Sequence, residues 1–178
     1  MNEELRLYVE SLKNGVPQYV YESLLYLFCI GTVVILVFKG KKIRRGITWL
    51  LLTEYILLVF CTTVFYRGAR EERLYDYTPF WSYDKPELMA ENIMNVAVFL
   101  PIGVLLGCAI RSMNWWKALL IGGCLSVSIE FLQLVFKRGF SEVDDVMHNT
   151  LGCMMGYGIY SLARVGYERI TNRNMGVL

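Results

Sequence analysis

Charged residues make up only 19% of this 178-residue chain, it has a single histidine, and its net charge is +2. A soluble domain carries about a quarter charged residues, so this shortage argues against a soluble enzyme and equally against a charge-rich disordered chain. No run of lysine and arginine alternates with aromatics, and so small a positive balance gives no electrostatic footprint for nucleic acid. The five cysteines, Cys29, Cys61, Cys108, Cys124 and Cys153, have no C-x-x-C spacing and fall inside apolar blocks. They read as small packing residues, not as a disulfide frame or a thiolate metal site. A phosphate loop, a nucleophile elbow and a spaced set of metal ligands are all missing as well, so neither a cofactor nor a metal is expected.

What the chain has instead is hydrophobic mass: 55% of its residues are hydrophobic and the mean hydropathy is +0.39. A hydrocarbon core of about 30 Å takes roughly 20 helical residues. Windows of that size bounded by charge occur at 16–38, 47–66, 92–110, 118–136 and 146–163. The expected fold is therefore all-α, a polytopic membrane helix bundle with five transmembrane helices. Ahead of them Leu5, Tyr8, Val9 and Leu12 recur at helical spacing among charges, which predicts an N-terminal interfacial amphipathic helix and no cleaved leader. Without an internal repeat or a low-complexity tract, residues 1–178 read as a single membrane domain.

Direction follows from the segment Lys39-Gly-Lys-Lys-Ile-Arg-Arg-Gly46, whose density of positive charge no other loop approaches. The positive-inside rule places it in the cytoplasm. The amino terminus is then expected outside and the carboxyl terminus inside, with ten of the 18 basic residues on the cytoplasmic side. The long connection from Arg67 to Glu91 is then external, acidic and aromatic. Tyr75, Tyr77, Phe80, Trp81 and Tyr83 suit the headgroup layer, and Pro79 predicts a turn or an extended piece.

With direction assigned, polar residues of three spans fall at one depth. Glu91 and Asn95 share a face where the third span enters, and Glu130 and Gln133 share one where the fourth leaves. Asp145, His148 and Asn149 share a face at the start of the fifth. Ionisable groups in a span are costly enough to mark a site by default. Plainer roles compete with that reading. Ser141-x-x-Asp144 has the form of a capping box, which makes Asp144 a cap. Asn95, Gln133 and Asn149 suit interhelical hydrogen bonding. Arg138 and Lys137 are the cations nearest in sequence to balance Glu130 and Asp145, and Glu130 with Arg138 reads equally as a structural pair. Glu54 lies apart, within reach of Arg44 or Arg45, while Glu22 sits at the outer end of the first span. Gly103-x-x-x-Gly107 and Gly152-x-x-x-Gly156 are spacings that let helices approach closely.

Taken in order, Asn95-x-x-x-Phe99-x-Pro101-x-Gly103, then Ser126 or Ser128 leading to Glu130-x-x-Gln133, Arg138, and Asp144-Asp145-x-x-x-Asn149-Thr150-x-Gly152 resemble the VanZ-like family of membrane proteins. The residues carrying the resemblance run from about 67 to 160. Thr78-Pro79-Phe80-Trp81-Ser82-Tyr83 is similar to a short Asn-Leu-x-Pro-Phe-type segment of that family, with Asp76 standing where asparagine is usual. The resemblance implies a bacterial plasma-membrane protein of the cell envelope, linked to resistance against teicoplanin-type glycopeptides.

Three functions fit these residues. In the first, Arg67, Arg73 and Arg138, with Asn95, Gln133 and Asn149, bind a membrane lipid, a lipid-linked cell-wall precursor or a lipoglycopeptide, since a guanidinium suits phosphate and carboxylate. In the second, Glu130 is the acid or base of an intramembrane enzyme, with Asp145 and His148 orienting a water or hydroxyl. The third, a small transporter, lacks the repeats common in that class.

Overall fold

The computed structural model describes residues 40–65, 67–68 and 70–175. The span expected at 16–38, the amphipathic helix before it and Glu22 lie outside these residues. What is described is almost wholly helical: α1 (Lys41–Phe60), α2 (Met89–Ala109), α3 (Trp115–Phe136) and α4 (Val143–Met175). The exception is a small parallel ladder of β1 (Tyr75–Asp76) and β2 (Ser141–Glu142), in register Tyr75 to Ser141 and Asp76 to Glu142.

Among the described residues, three segments are long and apolar enough to cross a bilayer: Lys42–Phe65, Pro86–Ala109 and Trp115–Phe136. They contain the windows expected at 47–66, 92–110 and 118–136, apart from an end residue or two. Their outer faces are apolar and unpacked, with Leu50 of α1 67% exposed and Phe131 of α3 60% exposed. Large hydrophobes so arranged around a bundle belong against lipid. The window expected at 146–163 lies within α4, which continues past it to Met175 and carries an exposed Arg164–Glu168 pair at 2.9 Å in its last turns.

α4 packs chiefly against α2, and glycine makes the approach possible. A Cβ on Gly152 would run into the Val96 carbonyl, one on Gly156 into the Leu100 carbonyl, and one on Gly103 into the Cys153 carbonyl. Backbone thus lies directly on backbone at Gly103, Gly152 and Gly156, and Gly107 receives the Tyr160 ring, the close approach that gives membrane helices their dispersion contacts where burial from water supplies little. Phe99, Ile102 and Leu106 of α2, Leu52 and Val59 of α1, Ile129 of α3 and Cys153 of α4 form the buried core around this pair.

Two local features shape the end of the bundle that carries the ladder. α1 widens into a π-helical turn at Cys61–Phe65. There the hydroxyls of Thr62 and Thr63 bond back to the carbonyls of Leu58 and Val59 at 2.7–3.0 Å, competing with the regular backbone ladder. At the other feature, Lys137 closes α3 in the left-handed region (φ 55°), and Gly139 follows at φ 89°. That reversal brings 137–142 under the long connection: Arg70 N–H donates to the Lys137 carbonyl at 2.8 Å and Ser141 N–H to the Leu74 carbonyl at 3.0 Å.

Candidate functional site

At this end of the bundle α1, α2, α3 and α4 enclose a cavity of about 200 Å³. Its polar lining comprises Tyr55, Thr62 and Thr63 from α1, Arg67 just beyond it, Asn95 from α2, Glu130 and Gln133 from α3, and Asp145 and Asn149 from α4. The helical spacings dictate this: Glu130 and Gln133, one turn apart, point the same way, as do Asp145 and Asn149. Apolar walls come from Leu58, Val59, Val98, Phe99 and Ile129.

Hydrogen bonds from neighbouring elements hold each acid. The Asn95 amide donates to Asp145 Oδ1 at 2.7 Å, joining α2 to α4. The Glu142 backbone N–H donates to Glu130 Oε2 at 3.0 Å, so the ladder pins the acid of α3. Gln133 Nε2 donates to the Thr63 carbonyl at 3.1 Å in the widened turn of α1, and Asn149 Nδ2 donates to Ser126 Oγ at 2.8 Å. Gln133 Oε1 is buried and has no partner among the described residues. An unsatisfied buried acceptor in a polar cavity wants a donor, which a ligand or water supplies.

The cation that reaches both carboxylates is Arg67, whose field acts on Glu130 and on Asp145. Its guanidinium lies over Gly139, where a Cβ would come within 2.7 Å of Nη1. Gly139 is thus required twice, by its positive φ and by this contact. Among the described residues no ion pair within 4 Å joins Arg67 to either acid, the one such pair being Arg164–Glu168. The cavity therefore offers a guanidinium, two carboxylates, amides and hydroxyls, all preplaced.

The other expected site residues lie elsewhere. Arg138 does not pair with Glu130. Its Nη1 donates to the carbonyls of Phe65 and Arg67, closing the exposed end of the widened turn of α1. Arg73 is exposed on the connection and does not line the cavity. His148 is buried, but in a separate pocket of about 210 Å³ with Ser82, Tyr83, Lys85 and Asn92. Its Nε2 is hydrogen-bonded to the Tyr83 hydroxyl at 2.9 Å and the two rings stack. Glu130, Asp145 and His148 are thus not brought into one cavity. Lys137 reaches away to the Glu71 carbonyl at 3.1 Å.

Asp144, fully buried, does not act as a cap. Its Oδ1 accepts from Phe80 N–H at 2.7 Å, and its Oδ2 accepts from Ser82 N–H at 3.0 Å and Ser82 Oγ at 2.6 Å. Asn92 adds a bond to the same hydroxyl at 3.1 Å. The connection is thereby clamped over the bundle in the neighbourhood of the cavity. Asp76 Oδ1 accepts from Thr78 N–H at 2.8 Å, a turn that an asparagine oxygen makes equally well, so the departure from the asparagine pattern leaves the local geometry intact. Glu54, on α1 away from the cavity, keeps Oε1 buried without a partner among the described residues and makes no ion pair with Arg44 or Arg45.

Sequence reasoning missed the contribution of α1. Tyr55, Thr62 and Thr63 are polar positions in the half of α1 and its widened turn nearer the cavity, and Thr62-Thr63 just ahead of Arg67 was the available signal. Ser126 was named without its partner. The tie from Glu142 to Glu130 uses a backbone N–H and leaves no trace in residue identity.

Helices long and apolar enough to cross a bilayer, packed around a buried polar cavity at one end, define an all-α integral membrane protein. The VanZ/LLP1 family matches residues 23–164, and the chain belongs to that family. It is similar to Protein VanZ of Enterococcus faecium, with 28% identity over 130 residues, covering 70% of this chain and 77% of that protein. No solved structure matches.

Proposed function

We propose that this protein binds the polar head of a lipid-linked envelope component or of a lipoglycopeptide in the cavity at the outer end of the bundle, and so lowers susceptibility to teicoplanin-type antibiotics. The supporting observation is the state of the cavity groups. Among the described residues Arg67 stands beside two carboxylates without a direct ion pair, next to a buried Gln133 oxygen that has no partner there. A guanidinium so placed suits phosphate or carboxylate, while Asn95, Glu130, Asp145 and Asn149 suit hydroxyl-rich groups such as sugars. Arg73, on the exposed connection, would meet the ligand at the membrane surface, and Arg138 would hold the rim through the carbonyls of Phe65 and Arg67.

Five spans, with the amino terminus outside and the carboxyl terminus in the cytoplasm of a bacterial plasma membrane, complete this reading. It rests on the basic segment 39–46 at the end of α1 away from the cavity. Cysteine introduced at Ser82 would then lie on the external side.

The test is drug susceptibility in a glycopeptide-sensitive bacterial host expressing the chain, together with mass spectrometry of lipids that co-purify with it. Arg67→Gln and Asp145→Asn are expected to abolish both the protection and the retained lipid while membrane levels of the protein hold. Protection that persists undiminished in both variants would overturn the proposal. Lipid that is retained but no longer turned over in Glu130→Gln would instead favour an intramembrane enzyme.

A further inference from the structure

At the end of the bundle opposite the cavity, a groove of about 580 Å³ opens between α1, α2 and α4. Lys42, Arg44 and Arg45 from the first turns of α1 and Arg111 just past α2 line it, and Leu105 and Tyr160 supply apolar wall. Among the described residues no acidic side chain is in the lining. Gly107 lets the Tyr160 ring of this wall lie close on α2, since a Cβ there would strike it.

These cations differ from their neighbours at the same end. Lys117 is used up on the carbonyl and hydroxyl of Ser112 at 2.8 and 3.0 Å, and Arg164 is paired with Glu168. Among the described residues, no side chain of Lys42, Arg44, Arg45 or Arg111 makes a hydrogen bond or an ion pair. Like charges from two separate segments are gathered at the mouth of one groove, and among the described residues no carboxylate joins them in its lining. Such a cluster repels itself and attracts an anion.

We infer that this groove binds an anionic phospholipid, its phosphate between Lys42, Arg44, Arg45 and Arg111 and its acyl chains along the lipid-facing wall beside Leu105 and Tyr160. A groove of about 580 Å³ falls in the size range of small-molecule sites, and Leu105 and Tyr160 give it an apolar side for acyl carbons. Basic pockets between membrane helices at this depth gather acidic headgroups, each cation adding favourable interaction with the phosphate. A free phosphate would satisfy the cations and leave the apolar wall uncovered, so the occupant is a lipid. The site is independent of the cavity at the other end.

Native mass spectrometry of the full chain in non-ionic detergent, titrated with phosphatidylglycerol and phosphatidylcholine of identical acyl chains, tests this. Phosphatidylglycerol is expected to bind on the order of 10- to 100-fold more tightly. The triple variant R44Q/R45Q/R111Q should fall to near parity, whereas R44K/R45K/R111K should keep most of the preference. Lys137→Gln, which removes a cation at the opposite end and outside both linings, should leave the preference as it is in the parent chain. Equal affinity for the two lipids in the parent chain would overturn the inference without need of any variant that folds poorly. A preference that survives the triple glutamine change, or that disappears with Lys137→Gln, would do the same. Displacement of the bound lipid by equimolar glycerol phosphate would reject a lipid as the occupant.

Discussion

The side-chain amide of Asn95 on α2 donates to the carboxylate of Asp145 on α4 at 2.7 Å, joining across the cavity wall two residues fifty positions apart. The contact lies beside the glycine-mediated crossing of the same two helices, so a side-chain bond and a backbone approach hold one interface. Asn95→Ala should lower stability by about 1 kcal/mol, the scale of an interhelical hydrogen bond in a membrane protein. Asn95→Asp should cost more, because two carboxyls at hydrogen-bond distance repel unless one stays protonated. Thermal unfolding in detergent ranks the two, and an Asn95→Asp chain at least as stable as Asn95→Ala would contradict the contact.

The three arginines expected to act together should separate by experiment. Arg138→Gln removes the donor to the Phe65 and Arg67 carbonyls and should destabilise the end of α1 by roughly 1–3 kcal/mol. Arg67→Gln should abolish protection against the drug with little change in unfolding temperature. Arg73→Gln, at an exposed position, should leave stability within about 0.5 kcal/mol. Measuring susceptibility and unfolding temperature side by side on all three distinguishes these outcomes.

Stability should fall as pH rises through the neutral range, because of Glu142 on β2. Burial first, then the negative fields of Asp145 and Glu91, push its carboxyl from the ordinary 4.5 up to about 8. Below 4.5 the group is protonated whether the chain is folded or unfolded, and it contributes no pH dependence. Between 4.5 and about 8 only the folded chain holds the proton, so each step up in pH favours unfolding; above about 8 the penalty is constant. Unfolding temperatures from pH 5 to pH 8.5 should show this decline, and Glu142→Gln should flatten it. An equally steep decline in that variant would assign the effect to another group.

Gly152→Val should prevent α2 and α4 from closing, since its Cβ would run into the Val96 carbonyl, which is backbone and cannot rotate away. Overpacking of this kind costs about 1–3 kcal/mol or more. Gly166, with open space around the Cβ position, should accept alanine without loss. Yield and unfolding temperature of the two variants make the comparison, and a Gly152→Val chain of parental stability would exclude the close crossing.

The clamp on the connection gives a further check. Asp144→Ala leaves the buried Ser82 N–H and hydroxyl without their acceptor and should free residues 67–88, at a cost of about 3 kcal/mol. Limited proteolysis should then cut this segment much faster than in the parent chain. Unchanged cleavage would show that the ladder alone holds it.

Bilayer thickness made the spans legible: about 20 apolar residues are needed whatever the tertiary fold, so the windows at 92–110 and 118–136 agree with α2 and α3 to within a few residues. Helical periodicity paired Glu130 with Gln133 and Asp145 with Asn149, because spacings of three and four residues share a face in any helix. Composition set no pairing between helices. Arg138 lies nearest to Glu130 in sequence, yet Arg67, beyond a different helix, supplies the field at both acids. His148 shares a face with Asp145 by spacing, but the clamped connection presents Tyr83 to it and draws it into another pocket. Asp144 has the form of a cap and is used as an anchor. Sequence by itself determined that α1, α2 and α3 are helical and apolar enough to cross a membrane, and which residues of each helix point the same way, because these depend on the local backbone period and on transfer from water to hydrocarbon. Only the tertiary structure decided which cation meets which acid, which carbonyls each amide finds and where the cavity closes, because those contacts depend on how helices are rotated and how closely their glycines let them approach.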